Sequence, residues 1–305
     1  MEEFMTIIDA HSHLWLKQDT FVDGRRILSL GNGRSIFMDE EVQMLPPFMT
    51  DGRNTAEIFL SNMDYARVGG AVVVQEFIDG IQNDYLKDVA ERYPDRFKVC
   101  AMLDWEKPGF LQEACRLADT GAFAGFAIPG HRLHKPLDSD EMLQMYRMME
   151  QKGMFLSLCL HDDNHQLSEV EEIVRSCPDL RIAIGHFGMV TTPGWKEQIR
   201  LALNKNVFIE SGGITWLFNS EFYPFRSAVG SIREAAGMVG MEKLMWGSDY
   251  PRTITAITYR MSYDFILNSD LLDNVDKKLF LGENARKFYG FSSLPYLPYI
   301  KNMSE

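Results

Sequence analysis

The sequence predicts an α/β fold, a (β/α)8 barrel of the TIM type. Three observations lead there. A chain of 305 residues suits one large barrel or two average domains. Eight short apolar runs alternate with longer amphipathic segments, as repeated βα units do. The first run ends in His11-Ser12-His13, where the doubly wound alternative usually carries a Gly-rich phosphate turn.

The apolar runs are 6–9, 70–75, 97–103, 122–128, 154–160, 180–185, 207–210 and 243–246. Several are apolar at nearly every position, as a parallel strand buried on both faces should be. Helical spacing fills most of the gaps, at 55–66, 83–92, 139–151, 166–175, 195–203 and 227–236, with Thr55 as an N-cap. A last helix, 274–289, is expected to break near Gly282. The chain reads as one barrel domain over 1–305. Its irregularity is a long insertion at 14–54 between the first strand and its helix, expected as an irregular lid or binding loop over the active-site face.

Composition narrows the function. A net charge of −12 argues against nucleic acid and anionic membranes as partners, since both need a basic surface. It leaves a small-molecule substrate, anionic ones included, because a few local arginines suffice. No apolar stretch is long enough to span a bilayer, and the N-terminus lacks a signal-peptide pattern. None of the four cysteines is in CxxC spacing, which fits a reduced, cytoplasmic protein.

The chemistry gathers at predicted strand ends. His11 and His13 end the first strand, His161 the fifth and His186 the sixth, and Asp249 ends the eighth. In a barrel these ends converge on one mouth. Residues two apart on a strand point to the same side, so His11 and His13 are expected to face the mouth together, with Asp9 beneath them. Two imidazoles from strand one, one from strand five and a carboxylate from strand eight make a mixed N/O site for a divalent ion such as zinc. Each residue alone has a structural explanation; the joint arrangement points to a site. Further candidates for substrate contact are Glu76 (with Gln75) ending strand two, Arg132 in the loop after strand four, Trp216 after strand seven, and Arg252 three past Asp249. Glu210, ending strand seven, is placed like Glu76, and Trp15 can cover the site. His165 reads as surface or cap.

These residues resemble the amidohydrolase superfamily. The opening IIDAHSHLW, the VVVQ run followed by NDYL, YPDRF, GHFG, WGSDYP and ENARKFYGF resemble its amidohydrolase-related branch. That branch holds lactone hydrolases and metal-dependent non-oxidative decarboxylases. The resemblance implies a distorted barrel with His11, His13 and Asp249 as metal ligands and His161 as a further one. It implies His186 as the group that polarises substrate, and Asp249 as general base towards metal-activated water. Barrels of this kind often associate into homo-oligomers.

Two departures shape the expectation. Ala127 and Ile128 stand where binuclear members carry a bridging Lys or Glu, and Lys135 lies too far along. One metal at most is therefore expected, zinc being a suitable ion, and some members of the branch work without any. Ala127 also cannot hold a substrate carboxylate as the basic strand-four residue of lactonase-like relatives does; either Arg132 substitutes from the loop or the substrate lacks that carboxylate. The first reading is a metal-dependent hydrolase of a small cyclic ester (a lactone). The alternative is a non-oxidative decarboxylase of an aromatic or unsaturated acid on the same scaffold. A catalytically silent binding barrel is the third.

Overall fold

In the computed structural model, residues 5–303 are described. β1 (Ile8–Ser12) is followed by an insertion holding β2 (Asp19–Val22), β3 (Arg25–Gly31), β4 (Arg34–Phe37) and β5 (Glu40–Gln43). Alternation then sets in: α1 (Ala56–Ala66), β6 (Gly70–Val73), α2 (Asn83–Arg92), β7 (Phe97–Ala101), α3 (Phe110–Asp119) and β8 (Gly125–Pro129). It continues through α4 (Asp140–Gln151), β9 (Phe155–Cys159), α5 (Leu167–Ser176), β10 (Arg181–Ile184), α6 (Trp195–Arg200) and β11 (Val207–Glu210). The chain ends through α7 (Ile214–Leu217), α8 (Arg226–Val239), β12 (Leu244–Met245), α9 (Met261–Leu267), α10 (Asn274–Lys278) and α11 (Asn284–Tyr289).

The barrel sheet has the order β1-β6-β7-β8-β9-β10-β11-β12, with parallel neighbours. The seam closes by backbone bonds from Ala10 N to Trp246 O (2.9 Å) and His13 N to Tyr250 O (2.8 Å). Ile8, Val72, Cys100, Ala127, Phe155, Ala183 and Met245 fill the interior, and Phe288 and Tyr289 of α11 join that cluster. A larger apolar layer packs the helices against the outside of the sheet. Such a barrel brings all eight strand C-termini to one end, which is what positions the site.

The predicted helices are present, and Thr55 does cap α1, accepting from Ile58 N. The break at Gly282 is a π-helical turn, Leu279–Glu283. A Cβ on Gly282 would lie 2.0 Å from the Thr6 carbonyl, so only glycine lets the helix approach β1 this closely. α3, α7 and α9 were not among the expected helices.

The insertion differs from the irregular loop expected. It is a four-stranded antiparallel sheet, β2-β3-β4-β5, built from two-residue hairpins. The hairpin residues Asp23-Gly24, Asn32-Gly33 and Met38-Asp39 all have positive φ. Type I′ turns require that, and Asp-Gly and Asn-Gly supply it at low cost. Val22 and Ile27 of this sheet pack on Ile78, fixing the insertion to the β6–α2 loop at the barrel rim.

Asp9 also departs from expectation. The β1–β6 register slips between Asp9 and Ser12, a bulge that reverses the inward-outward alternation. Ile8 and Ala10 face the interior below it and His11 and His13 above it, while Asp9 faces the helix layer. There its carboxylate accepts from Ser248 N (2.8 Å), Ser248 Oγ, Tyr259 O–H (2.7 Å) and His11 N (3.1 Å). Burial pushes its pKa up to about 6, against the pull of those bonds. The folded value lies above the unfolded one, so protonated Asp9 favours folding, and that contribution fades as pH rises through about 6. Asp9→Ala strands four donors and is expected to lower stability by about 2–3 kcal/mol at neutral pH, measurable as a denaturation midpoint shift.

Candidate active site

Three side chains meet at the mouth. His11 Nε2 lies 3.1 Å from His13 Nε2, His13 Nε2 lies 3.0 Å from Asp249 Oδ1, and His11 Nε2 lies 3.8 Å from Asp249 Oδ1. All three residues are buried. The bulge in β1 aims both imidazoles. Asp249 arrives from the segment after β12, held by its own N–H on the His11 carbonyl (2.9 Å). Asp249 and His186 both take left-handed backbone conformations, with φ of 59° and 57°. Such positions are costly in non-glycine residues and cluster where a side chain must be aimed.

A carboxylate stands behind each imidazole. Glu210 Oε1, at the end of β11, accepts from His11 Nδ1 at 2.7 Å. Asp79 Oδ2 lies 3.5 Å from His13 Nδ1. The bond to Glu210 turns His11 Nε2 toward the meeting point, as in metal-ligating histidines, whereas His13 Nδ1 makes no hydrogen bond among the described residues and its Nε2 lies against Asp249. Burial lowers the His11 pKa, but Glu210, then Asp249 and Asp9, outweigh it and push it up to about 9. His13 moves down instead, through burial and Arg252. Burial would raise Asp249, yet His13, Arg252 and His11 hold it well below the usual carboxylate range. The cluster attracts positive charge, and two imidazoles this close cannot both carry it. A divalent ion fits the donor set. Donors around a tetrahedral ion with bonds of about 2.0–2.1 Å sit about 3.3 Å apart, near the three spacings seen here.

Three glycines make room for the His11–Glu210 pair. A Cβ on Gly185 would lie 2.7 Å from Glu210 Oε1, one on Gly212 2.8 Å from His11 Cγ, and one on Gly247 2.8 Å from His11 Cβ. Each follows the end of β10, β11 or β12. Gly247→Ala is expected to displace His11 and weaken divalent-metal affinity by about tenfold or more, read by competition with a chelator.

The trio forms the floor of a cavity of about 400 Å³. Trp216 donates its indole N–H to Asp249 Oδ2 at 2.8 Å. His186 Nδ1 lies 2.9 Å from the Gly212 carbonyl, which can only accept, so Nδ1 carries the proton and Nε2 is left for the cavity. Glu76, buried at the rim, accepts from Arg132 Nε at 2.8 Å and faces His131 Nε2 at 3.6 Å. Burial presses His131 down to about 4, so it is neutral at pH 7. Arg252 pairs with Asp79 (2.6 Å) and stands 3.8 Å from Asp249.

A model of the amidohydrolase family matches residues 8–291. The chain belongs to that family. This amidohydrolase shares its fold with several crystal structures. One is described as a probable 2-pyrone-4,6-dicarboxylic acid hydrolase from Acinetobacter baumannii with citric acid bound; identity is 20%, TM-score 0.68, with 94% of this chain and 100% of that chain covered. Another is an amidohydrolase from Burkholderia multivorans with zinc bound, at 16% identity and TM-score 0.69, covering 95% and 100%. A third is the 5-carboxyvanillate decarboxylase of Sphingomonas paucimobilis, at 15% identity and TM-score 0.64, covering 94% and 99%.

Within the amidohydrolase, His11, His13 and Asp249 come together, and Glu76, Arg132, His161, His186, Trp216 and Arg252 all line the same cavity. His161 is not brought into the trio. Its ring sits at the rim, with Nδ1 3.2 Å from Asp162 and 3.1 Å from Asp163, and its side chain is 41% exposed. Asp163 and His165 flank it, so His165 belongs to this rim group. Trp15 does not cover the site; it is fully buried, with Arg252 over its ring and its N–H on Gly52 O. Asp79 escaped the sequence reading because it lies past the end of strand two, in a turn that only the fold brings against His13. No helix among the described residues is long and apolar enough to cross a membrane.

Proposed function

We propose that this amidohydrolase is a metal-dependent hydrolase of a small cyclic ester or related carbonyl compound, working with one divalent ion, zinc being suitable. The observation that carries the reading is the buried convergence of His11, His13 and Asp249, each imidazole backed by a carboxylate, at the floor of a cavity. His11, His13 and Asp249 would hold the ion. When bound, it supplies Lewis acidity to a carbonyl oxygen and to water.

The side chains supply the rest. Asp249 takes a proton from the attacking water and passes it to the leaving ring oxygen, so ester cleavage balances as acid plus alcohol. The Trp216 N–H fixes the rotation of the Asp249 carboxylate through Oδ2, whose other lone pair stays open. His186, its Nδ1–H held by the Gly212 carbonyl, offers Nε2 as an acceptor to a substrate hydroxyl and polarises the carbonyl when Nε2 carries a second proton. His161 lines the rim away from the trio, and Arg132 and Arg252 are the cations lining the cavity that an anionic substituent can meet.

The test is a lactone panel with metal-loaded protein, followed by a pH indicator and by product analysis. Acid release without carbon dioxide is expected. Carbon dioxide from an aromatic or unsaturated acid would transfer the site to decarboxylation, and no turnover of either class would overturn the enzyme reading.

A further inference from the structure

We propose that the substrate of this site carries an apolar arm, seated in a second cavity on the far side of Arg132. The proposal rests on the hydrolase reading above. A cavity of about 360 Å³ opens between the β2–β5 sheet and the barrel rim. Arg132 lines both this cavity and the one over His11, His13 and Asp249. The turn after Glu76 stands between them, with Ile78 on the first and Phe77 on the second.

Three features say what the second cavity takes. Its lining is mixed: Phe21, Val22, Phe77, Ile81 and Leu133 form the apolar part, and the rest is polar, with three acids. Phe21 is 64% exposed and Ile81 47%, apolar surface left open beside a catalytic mouth. Each acid there has a contact of its own: Asp23 lies 3.4 Å from His134 Nε2, Asp104 accepts from Glu106 N (3.3 Å), and Glu106 accepts from His134 N (2.6 Å). Arg132 is anchored through Nε on Glu76, and among the described residues its terminal nitrogens make no hydrogen bond. A carbonyl or carboxylate gripped by those nitrogens would have the reacting centre on one side and a hydrocarbon chain on the other. The size suits a small-molecule subsite. The insertion sheet then acts as the wall that selects the arm, since Phe21 and Val22 come from β2.

The experiment measures binding and turnover separately on metal-loaded protein. Straight-chain alkanoates from butyrate to dodecanoate are titrated by calorimetry, and lactones of one ring size with lengthening alkyl substituents are assayed. Affinity and kcat/KM are expected to rise about threefold per methylene until the cavity fills. Phe21→Asp and Ile81→Asp, both at exposed positions, should flatten that rise. Leu203→Asp, exposed and outside both cavities, should leave it intact. Length-independent binding in the wild type, or a rise that survives both cavity variants, overturns the proposal. Turnover of short-chain lactones without any length effect removes the arm alone. Length-dependent binding without lactone turnover removes the hydrolase reading and keeps the arm.

Discussion

Asp249→Asn is expected to lower kcat by about a thousandfold or more while the protein stays folded. The two side chains have the same shape, and asparagine tolerates the left-handed conformation that position 249 requires. The amide oxygen can still face His13. What disappears is the negative charge that two imidazoles and Arg252 surround. The site loses both an anionic ligand and the acceptor for the water proton, and each alone is worth orders of magnitude. The check is kcat at saturating metal, beside a thermal melt. Near wild-type turnover in a folded variant would remove Asp249 from the chemistry.

Glu210→Gln is expected to weaken divalent-metal affinity about ten- to a hundredfold with little change in stability. Glu210 touches no substrate position; it grips His11 Nδ1 with one oxygen and the Gly212 N–H with the other. Glutamine keeps an oxygen for one of these contacts but brings no charge. The His11 ring then loses the partner that raises its basicity and fixes its tautomer. Competition against a chromophoric chelator reads the change, and unaltered affinity would contradict a metal-supporting role for this pair.

Much of this was legible in the sequence, for identifiable reasons. Buried parallel strands announce themselves as apolar runs, so the barrel and the strand ends bearing His11, His13, His186 and Asp249 could be placed without coordinates. Alternation failed at Asp9, because a bulge between Asp9 and Ser12 resets the parity and nothing in the run IIDAHSH marks it. The insertion was misread although its signal was present: Asp23-Gly24 and Asn32-Gly33 flanked by strand-like residues are hairpin turns. Glu210 was visible as a strand-end carboxylate, but its partner His11 lies far away in sequence. Asp79 gave no local sign at all, being a turn residue given meaning by His13 and Arg252. His161 ends its strand as expected, yet its ring turns to Asp162 and Asp163, a matter of side-chain rotation that spacing does not encode.

The most direct measurement is metal stoichiometry by equilibrium dialysis, on the wild type and on His11→Ala/His13→Ala. One tightly held divalent ion per chain, lost in the double variant together with turnover and restored to neither by excess metal, is the predicted result. A wild type that binds no divalent ion and turns over fully in chelator would contradict a metal centre at His11, His13 and Asp249.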